Sequence, residues 1–138
     1  MKTITLFMGV SGSGKTTNAH LLSEFLEQFC GVHPIVCSAD DYFEDETGEY
    51  IYDPKYIVQA HKECQRVVAG AMRRDLPVIV HNTFMQRWER QPYFRMADEY
   101  GYTVNEYVCT GKFKNVHNVP DESIERQHAR WEDPKKEK

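Results

Sequence analysis

Residues 9–16 read Gly-Val-Ser-Gly-Ser-Gly-Lys-Thr, and no other stretch constrains the chain as hard. The run fits the pattern G-x-x-x-x-G-K-[ST] at every fixed position. Residues 2–9 before it are β-branched and apolar and end in glycine, which predicts a buried strand. Residues 15–30 after it place Ala19, Leu22, Phe25, Leu26 and Phe29 at helical spacing, with Gly31 as the stop. A glycine-rich turn between strand and helix points backbone N–H groups inward, and the helix adds its positive end. Such a turn holds phosphate. The candidate nucleotide contacts are Gly9, Ser11, Gly12, Ser13, Gly14, Lys15, Thr16 and Thr17. Lys15 is expected to reach the β- and γ-phosphates of ATP, and the Thr16 hydroxyl to help hold Mg²⁺.

The rest of the chain alternates in the same way. Strands are expected over 33–39, 76–83 and 102–109, and helices over 53–75, 87–101 and 120–133. The helix over 53–75 opens with an Asp cap and a Pro and carries a stripe of Tyr56, Ile57, Ala60, Cys64, Val67, Val68 and Ala71. Pro92 sits awkwardly near the start of the helix over 87–101. Residues 111–119 read as a loop and 133–138 as a frayed tail. The pattern predicts an α/β domain of the P-loop NTPase kind. Its small, mainly parallel sheet would have about four to five strands, with helices on both faces. A chain of 138 residues suits one such domain, spanning 1–138.

Composition excludes some partners. The net charge of −4 argues against a generic basic coat for nucleic acid, although much of the acid is local to residues 40–49. No apolar run is long enough for a membrane span. Met1-Lys2 leads straight into a strand rather than a signal peptide. Cys30, Cys37, Cys64 and Cys109 are scattered, which favours reduced, mostly buried thiols in a cytoplasmic protein. Nothing in the sequence sets the oligomeric state.

The phosphoryl acceptor is a separate question. Residues 36–43, Val-Cys-Ser-Ala-Asp-Asp-Tyr-Phe, put two acids just beyond the second strand, on the side where open α/β sheets bind ligands. A carboxylate there can take a proton from an attacking hydroxyl and can help orient Mg²⁺. Asp40 is the candidate base, with a helix-capping role as the other reading. Asp41 is a candidate acceptor contact or a capping acid. His81 ends the third strand, where P-loop proteins often carry an acid. His61 and Cys64 are one turn apart, and two ligands do not make a zinc site. Trp88, Tyr93, Phe94 and Trp131 are candidates for core packing or base stacking. Arg87, Arg90 and Arg95 form either a basic strip or ordinary solvated charges. Arg126 is a candidate nucleotide contact, with Arg130 one turn away.

The order GVSGSGKTT, SADDYF, VIVHNTF, YGYTV, NVHNVP resembles the polynucleotide-kinase-like P-loop family. That family holds the phage 5′-hydroxyl polynucleotide kinases and the kinase-like ATPases related to NEDD4-binding protein 2. The resemblance spans roughly residues 2–131. It implies an ATP- and Mg²⁺-dependent phosphotransferase whose general base is the first Asp of Asp-Asp-Tyr, Asp40. The implied acceptor is a nucleic-acid end, with a small hydroxyl substrate such as a nucleoside as the alternative. A non-kinase module with slow ATP hydrolysis is the competing class. The sequence departs from the family at Phe43, where the kinases carry a substrate-gripping Arg. It departs again at Asn82, where they carry an Asp. Asn82 and Arg87 are therefore candidate acceptor contacts. Lys112 and Lys114 stand where a lid supplies arginines: Lys114 is the candidate transition-state cation and Lys112 the candidate acceptor contact. Lysine lacks the bidentate fork of arginine.

Overall fold

The structure is a computed structural model that describes residues 1–111 and 121–131. Four strands form its sheet: β1 (Thr3–Met8), β2 (Ile35–Cys37), β3 (Val78–His81) and β4 (Thr103–Val108). Their order is β2-β3-β1-β4 and every neighbouring pair is parallel. Four α-helices connect or follow them: α1 (Lys15–Cys30), α2 (Ile57–Arg73), α3 (Arg87–Tyr100) and α4 (Asp121–Arg130). The expected loop at 112–119, with Lys112 and Lys114, and the tail at 133–138 lie outside the described residues. No helix among those described is long and apolar enough to cross a membrane.

Both faces of the sheet are covered, and strand alternation decides which residue goes where. Ile4, Leu6, Met8, Val78 and Val80 point to one face. There they pack with Cys64, Val68, Ala71 and Met72 of α2 and Tyr93 and Ala97 of α3. Phe7 and Ile79 point to the other face, against Ala19 and Leu26 of α1. Two buried faces explain why β1 and β3 read as near-continuous apolar runs.

Three expectations need correcting. Phe25 and Phe29 do not join the core: they are 53% and 75% exposed and pack on each other at 5.2 Å. The apolar arc of α1 is wider than the strip of sheet beneath it, so only Ala19, Leu22 and Leu26 reach the sheet. Arg90 is neither a surface strip nor a solvated charge. It is fully buried, donates to the Phe84 carbonyl at 2.6 Å and lies over the Trp131 ring. Its guanidinium holds a turn in which Phe84 adopts φ 51, a left-handed conformation that bulky residues avoid. Of the four thiols, only Cys37 and Cys64 are buried; Cys30 is exposed and Cys109 intermediate.

α2 begins as its sequence suggests. The Asp53 carboxylate accepts from Lys55 N at 3.1 Å, and Pro54 opens a short 3₁₀ turn that runs into the α-helix. α3 runs through Pro92, whose missing N–H leaves the Trp88 carbonyl without its helical donor. Its first turn is secured by Glu89, which accepts from Gln86 N at 2.8 Å.

Candidate active site

The glycine-rich turn leaves β1 at Gly9 and enters α1 through Gly14, which caps the helix at φ 99. A side chain at Gly9 has no room: a Cβ there would lie 2.5 Å from Ser13 Oγ and 2.6 Å from the Cys109 carbonyl. The turn is pinned to both neighbouring strand ends. Gly9 N donates to the Thr83 carbonyl at 3.2 Å, and Gly111 N to the Ser13 carbonyl at 3.1 Å. Lys15 is buried and donates to the Val10 carbonyl at 2.8 Å, closing the loop on itself. Burial lowers its pKa from 10.5 to about 8, against opposing pulls from Asp40 and Cys109. Ser13 Oγ is buried with no hydrogen-bond partner among the described residues. Thr16 and Thr17 are exposed at the first turn of α1.

Thr16 Oγ1 is 3.3 Å from His81 Nδ1, so the end of β3 meets the start of α1 at the expected Mg²⁺ position. The Thr16 hydroxyl and the Asp40 carboxylate are hard oxygen donors of the kind Mg²⁺ takes. His81 supplies nitrogen and suits that ion less well.

Beyond β2 the chain turns at once into a 3₁₀ helix, Ala39–Phe43. Ser38 caps it, and Asp41 returns the bond by accepting from Ser38 N at 3.0 Å. The second acid thus caps its own turn. The first acid is held from outside it: the Tyr50 hydroxyl donates to Asp40 Oδ1 at 3.2 Å. Burial, then the charge of Asp40, push the Tyr50 pKa well up, so it remains a donor. Asn82 ties this turn to the end of β3. Its Oδ1 accepts from Ala39 N at 2.7 Å and from Ser38 Oγ at 3.2 Å. Asn82 therefore positions the segment that carries Asp40.

Tyr50 reaches Asp40 because the acidic segment folds back on itself. Asp45 accepts from Thr47 N, Thr47 Oγ1 and Glu49 N, and Glu44 bridges Tyr50. Those bonds, Thr47 first, hold the Asp45 carboxyl below its ordinary value. Tyr50 and Tyr52 lie nearly parallel, 6.4 Å apart, with Phe43 edge-on to both. Tyr42 and Tyr52 remain exposed.

The other candidates fall as follows. Arg87 is exposed at the start of α3, and Arg126 is exposed on α4. On α4, Gln127 touches the phosphate loop. Its Oε1 accepts from Ser11 N at 2.9 Å, and its Nε2 donates to Ser11 Oγ at 3.2 Å. The sequence reading missed Gln127; its only signal was its place beside Arg126 on a helix suspected of reaching the nucleotide. His61 packs edge-on against exposed Trp88, and burial lowers its pKa. Tyr93 lies within the core, while Phe94 and Trp131 pack at its margin.

Comparison with known proteins extends this picture. An AAA domain family model matches residues 4–133. Human NEDD4-binding protein 2 is 35% identical over 133 residues, covering 89% of this chain. The chain spans only 7% of that protein's length. Among solved structures, a chain of the Pnkp1/Rnl/Hen1 RNA repair complex superposes with a TM-score of 0.69 at 19% identity, over 93% of this chain and 43% of that one. The Mycobacterium tuberculosis APS kinase CysC gives a TM-score of 0.64 at 20% identity, covering 92% of each chain. At these identities the structural likeness speaks for the fold: the one adopted by P-loop kinases.

Proposed function

The chain belongs to the AAA domain family, and from that premise we propose that it transfers the γ-phosphoryl group of ATP to a hydroxyl, most simply the 5′-hydroxyl of a nucleic-acid end. One observation carries the reading. A carboxylate stands at the C-terminal end of β2, held by Tyr50, and its charge acts on the cradle lysine. This supports placing a base and a phosphate grip close enough for their charges to interact.

In this mechanism the loop amides and Lys15 hold the phosphates. Asp40 accepts the proton of the incoming hydroxyl, and the Tyr50 hydroxyl holds its carboxylate through Oδ1. Asn82 keeps the Asp40 segment against the end of β3. Thr16 and Asp40 would hold Mg²⁺, whose chemistry is to neutralise charge on the transferring phosphate. Lys114 is proposed as the lid cation, with Lys112, Arg87 and Asp41 toward the acceptor and Arg126 toward the nucleotide. The RNA repair complex is the similar structure that supports a nucleic-acid acceptor. The exposed Tyr42 and Tyr52 beside Asp40 supply surfaces on which a base can stack.

A second reading is a short acceptor, a terminal nucleoside rather than a strand. The exposed acids from Asp41 to Glu49 favour it, since they repel a polyanion. One experiment addresses both. Labelled ATP is offered with a nucleoside 3′-phosphate, a long 5′-hydroxyl oligonucleotide and small alcohols. Transfer to either of the first two is expected. Asp40→Asn should cut it about 10²-fold or more with ATP still bound, and Asp41→Asn should cost less. If Asp41→Asn is the more damaging, the base is misassigned. If ATP is hydrolysed at the same rate with every acceptor and none is phosphorylated, the proposal fails.

A further inference from the structure

Cys37 ends β2 and Cys64 lies midway along α2, yet their Sγ atoms are 3.1 Å apart in the core. That separation admits a shared proton or a bond and no intervening atom. Two further features mark Cys64. Tyr93 and Asn82 are both buried, and among the described residues neither the Tyr93 hydroxyl nor Asn82 Nδ2 has a hydrogen-bond partner of its own. A buried donor without an acceptor costs stability. The contact with Cys37 first, then the nearby Tyr93 and Asn82 donors, hold the Cys64 thiol below its ordinary value against the opposing effect of burial. The Cys37 thiol is pushed up, first by that same bond and then by burial. Those directions name Cys64 as the candidate nucleophile and Cys37 as its proton-bearing partner. A partly open cavity of about 400 Å³ is lined by both cysteines with Ser38, Asp41 and Glu63.

We propose that Cys37 and Cys64 form a redox-active pair that closes to an intramolecular disulfide when it meets a hydroperoxide. The Cys64 thiolate attacks one peroxide oxygen, the O–O bond breaks and hydroxide leaves, giving Cys64 sulfenic acid. The Cys37 sulfur then attacks the Cys64 sulfur. The S–O bond breaks; the Cys37 proton and the proton that Cys64 released on becoming a thiolate convert the two hydroxide equivalents to two waters. Two thiols lose two electrons and one hydrogen peroxide becomes two waters. The bond ties together the two ends of residues 38–63, the segment that carries Asp40, Tyr50 and Tyr52. This inference does not depend on the kinase reading.

The test uses the whole chain and a Cys30→Ser/Cys109→Ser variant, which keeps the pair and removes the competing thiols. Each is treated with a few equivalents of hydrogen peroxide, denatured, alkylated and digested. The expected product is a Cys37–Cys64 cross-linked peptide, reversed by dithiothreitol. The oxidised protein should melt about 10 °C above the reduced one, the scale for closing a loop of this length. Cys37→Ser should leave Cys64 alkylatable or over-oxidised with no intramolecular cross-link. Recovery of Cys37 and Cys64 both alkylated after peroxide, in protein that still folds, overturns the proposal. Cross-links confined to Cys30 or Cys109 overturn it too. A cross-link with no rise in melting temperature would refute the tethering of the 38–63 segment.

Discussion

Nucleotide binding should draw a proton from solvent onto Lys15, and the size of that uptake follows from the burial of its amine. In the empty protein desolvation lowers the Lys15 pKa to about 8. At pH 8 about half the molecules therefore carry a neutral amine. Phosphate oxygens placed against Nζ favour the charged form and restore the proton. Binding of ADP should then take up about half a proton at pH 8, about 0.9 at pH 9 and about 0.1 at pH 7. Calorimetric titration in buffers of different ionisation enthalpy reads this number directly. Lys15→Met should abolish the uptake. Asp40→Asn removes a charge that supports protonation and should move the whole curve to lower pH. The same shift has a stability sign. The unfolded chain, with Lys15 at its ordinary value of 10.5, binds more protons than the fold between pH 8 and 10.5. The empty fold therefore gains stability as pH rises through that window, by up to about 3 kcal/mol from this group. A proton count that stays near zero from pH 7 to 9, at full saturation, would refute the reasoning.

Three further outcomes follow from the geometry. Asn82→Ala strands the buried Ala39 N–H and should cost about 1–3 kcal/mol, read as a fall in the urea midpoint at unchanged slope. Gly9→Ala forces a Cβ into Ser13 and the Cys109 carbonyl and should lower nucleotide affinity at least about tenfold, measured by calorimetry on folded protein. Phe25→Ser, on the exposed side of α1, should change stability by less than about 0.5 kcal/mol; a larger loss in chemical denaturation would place that ring in the core after all.

Much of the frame was legible because local chemistry dictates it. The P-loop needs glycines where the backbone turns left-handed or is crowded, so residues 9–16 announced their own geometry and the strand and helix around them. The stripe on α2 was legible for a similar reason: Ala60, Cys64, Val68 and Ala71 repeat at the helical period, and all four are buried. What escaped depends on contacts distant in the chain. Nothing near Arg90 says that its charge will be enclosed by Phe84 and Trp131. The sequence set Asp40 apart from Asp41 as the candidate base, but not the contacts that hold them: Ser38 N on Asp41 and the distant Tyr50 hydroxyl on Asp40. Phe25 and Phe29 read as core because periodicity reports the width of an apolar arc and not the width of the sheet that receives it.

The strand order has a consequence for biosynthesis. β1 is the central strand, and its partners come late: Ile4 pairs with Val78 and Thr3 with Thr103. A ribosome delivers the chain from its N-terminus, so the glycine-rich turn emerges long before anything can brace it. Its anchor at Thr83 follows β3, and those at Cys109 and Gly111 follow β4. Such distant pairings slow folding, because loop closure must come before the contacts that reward it. The nucleotide cradle is therefore encoded first and assembled last. A nascent chain halted before β4 would carry the complete loop sequence with the braces at Cys109 and Gly111 still missing. ATP, by binding only the braced form, would act as a late clamp on the finished sheet.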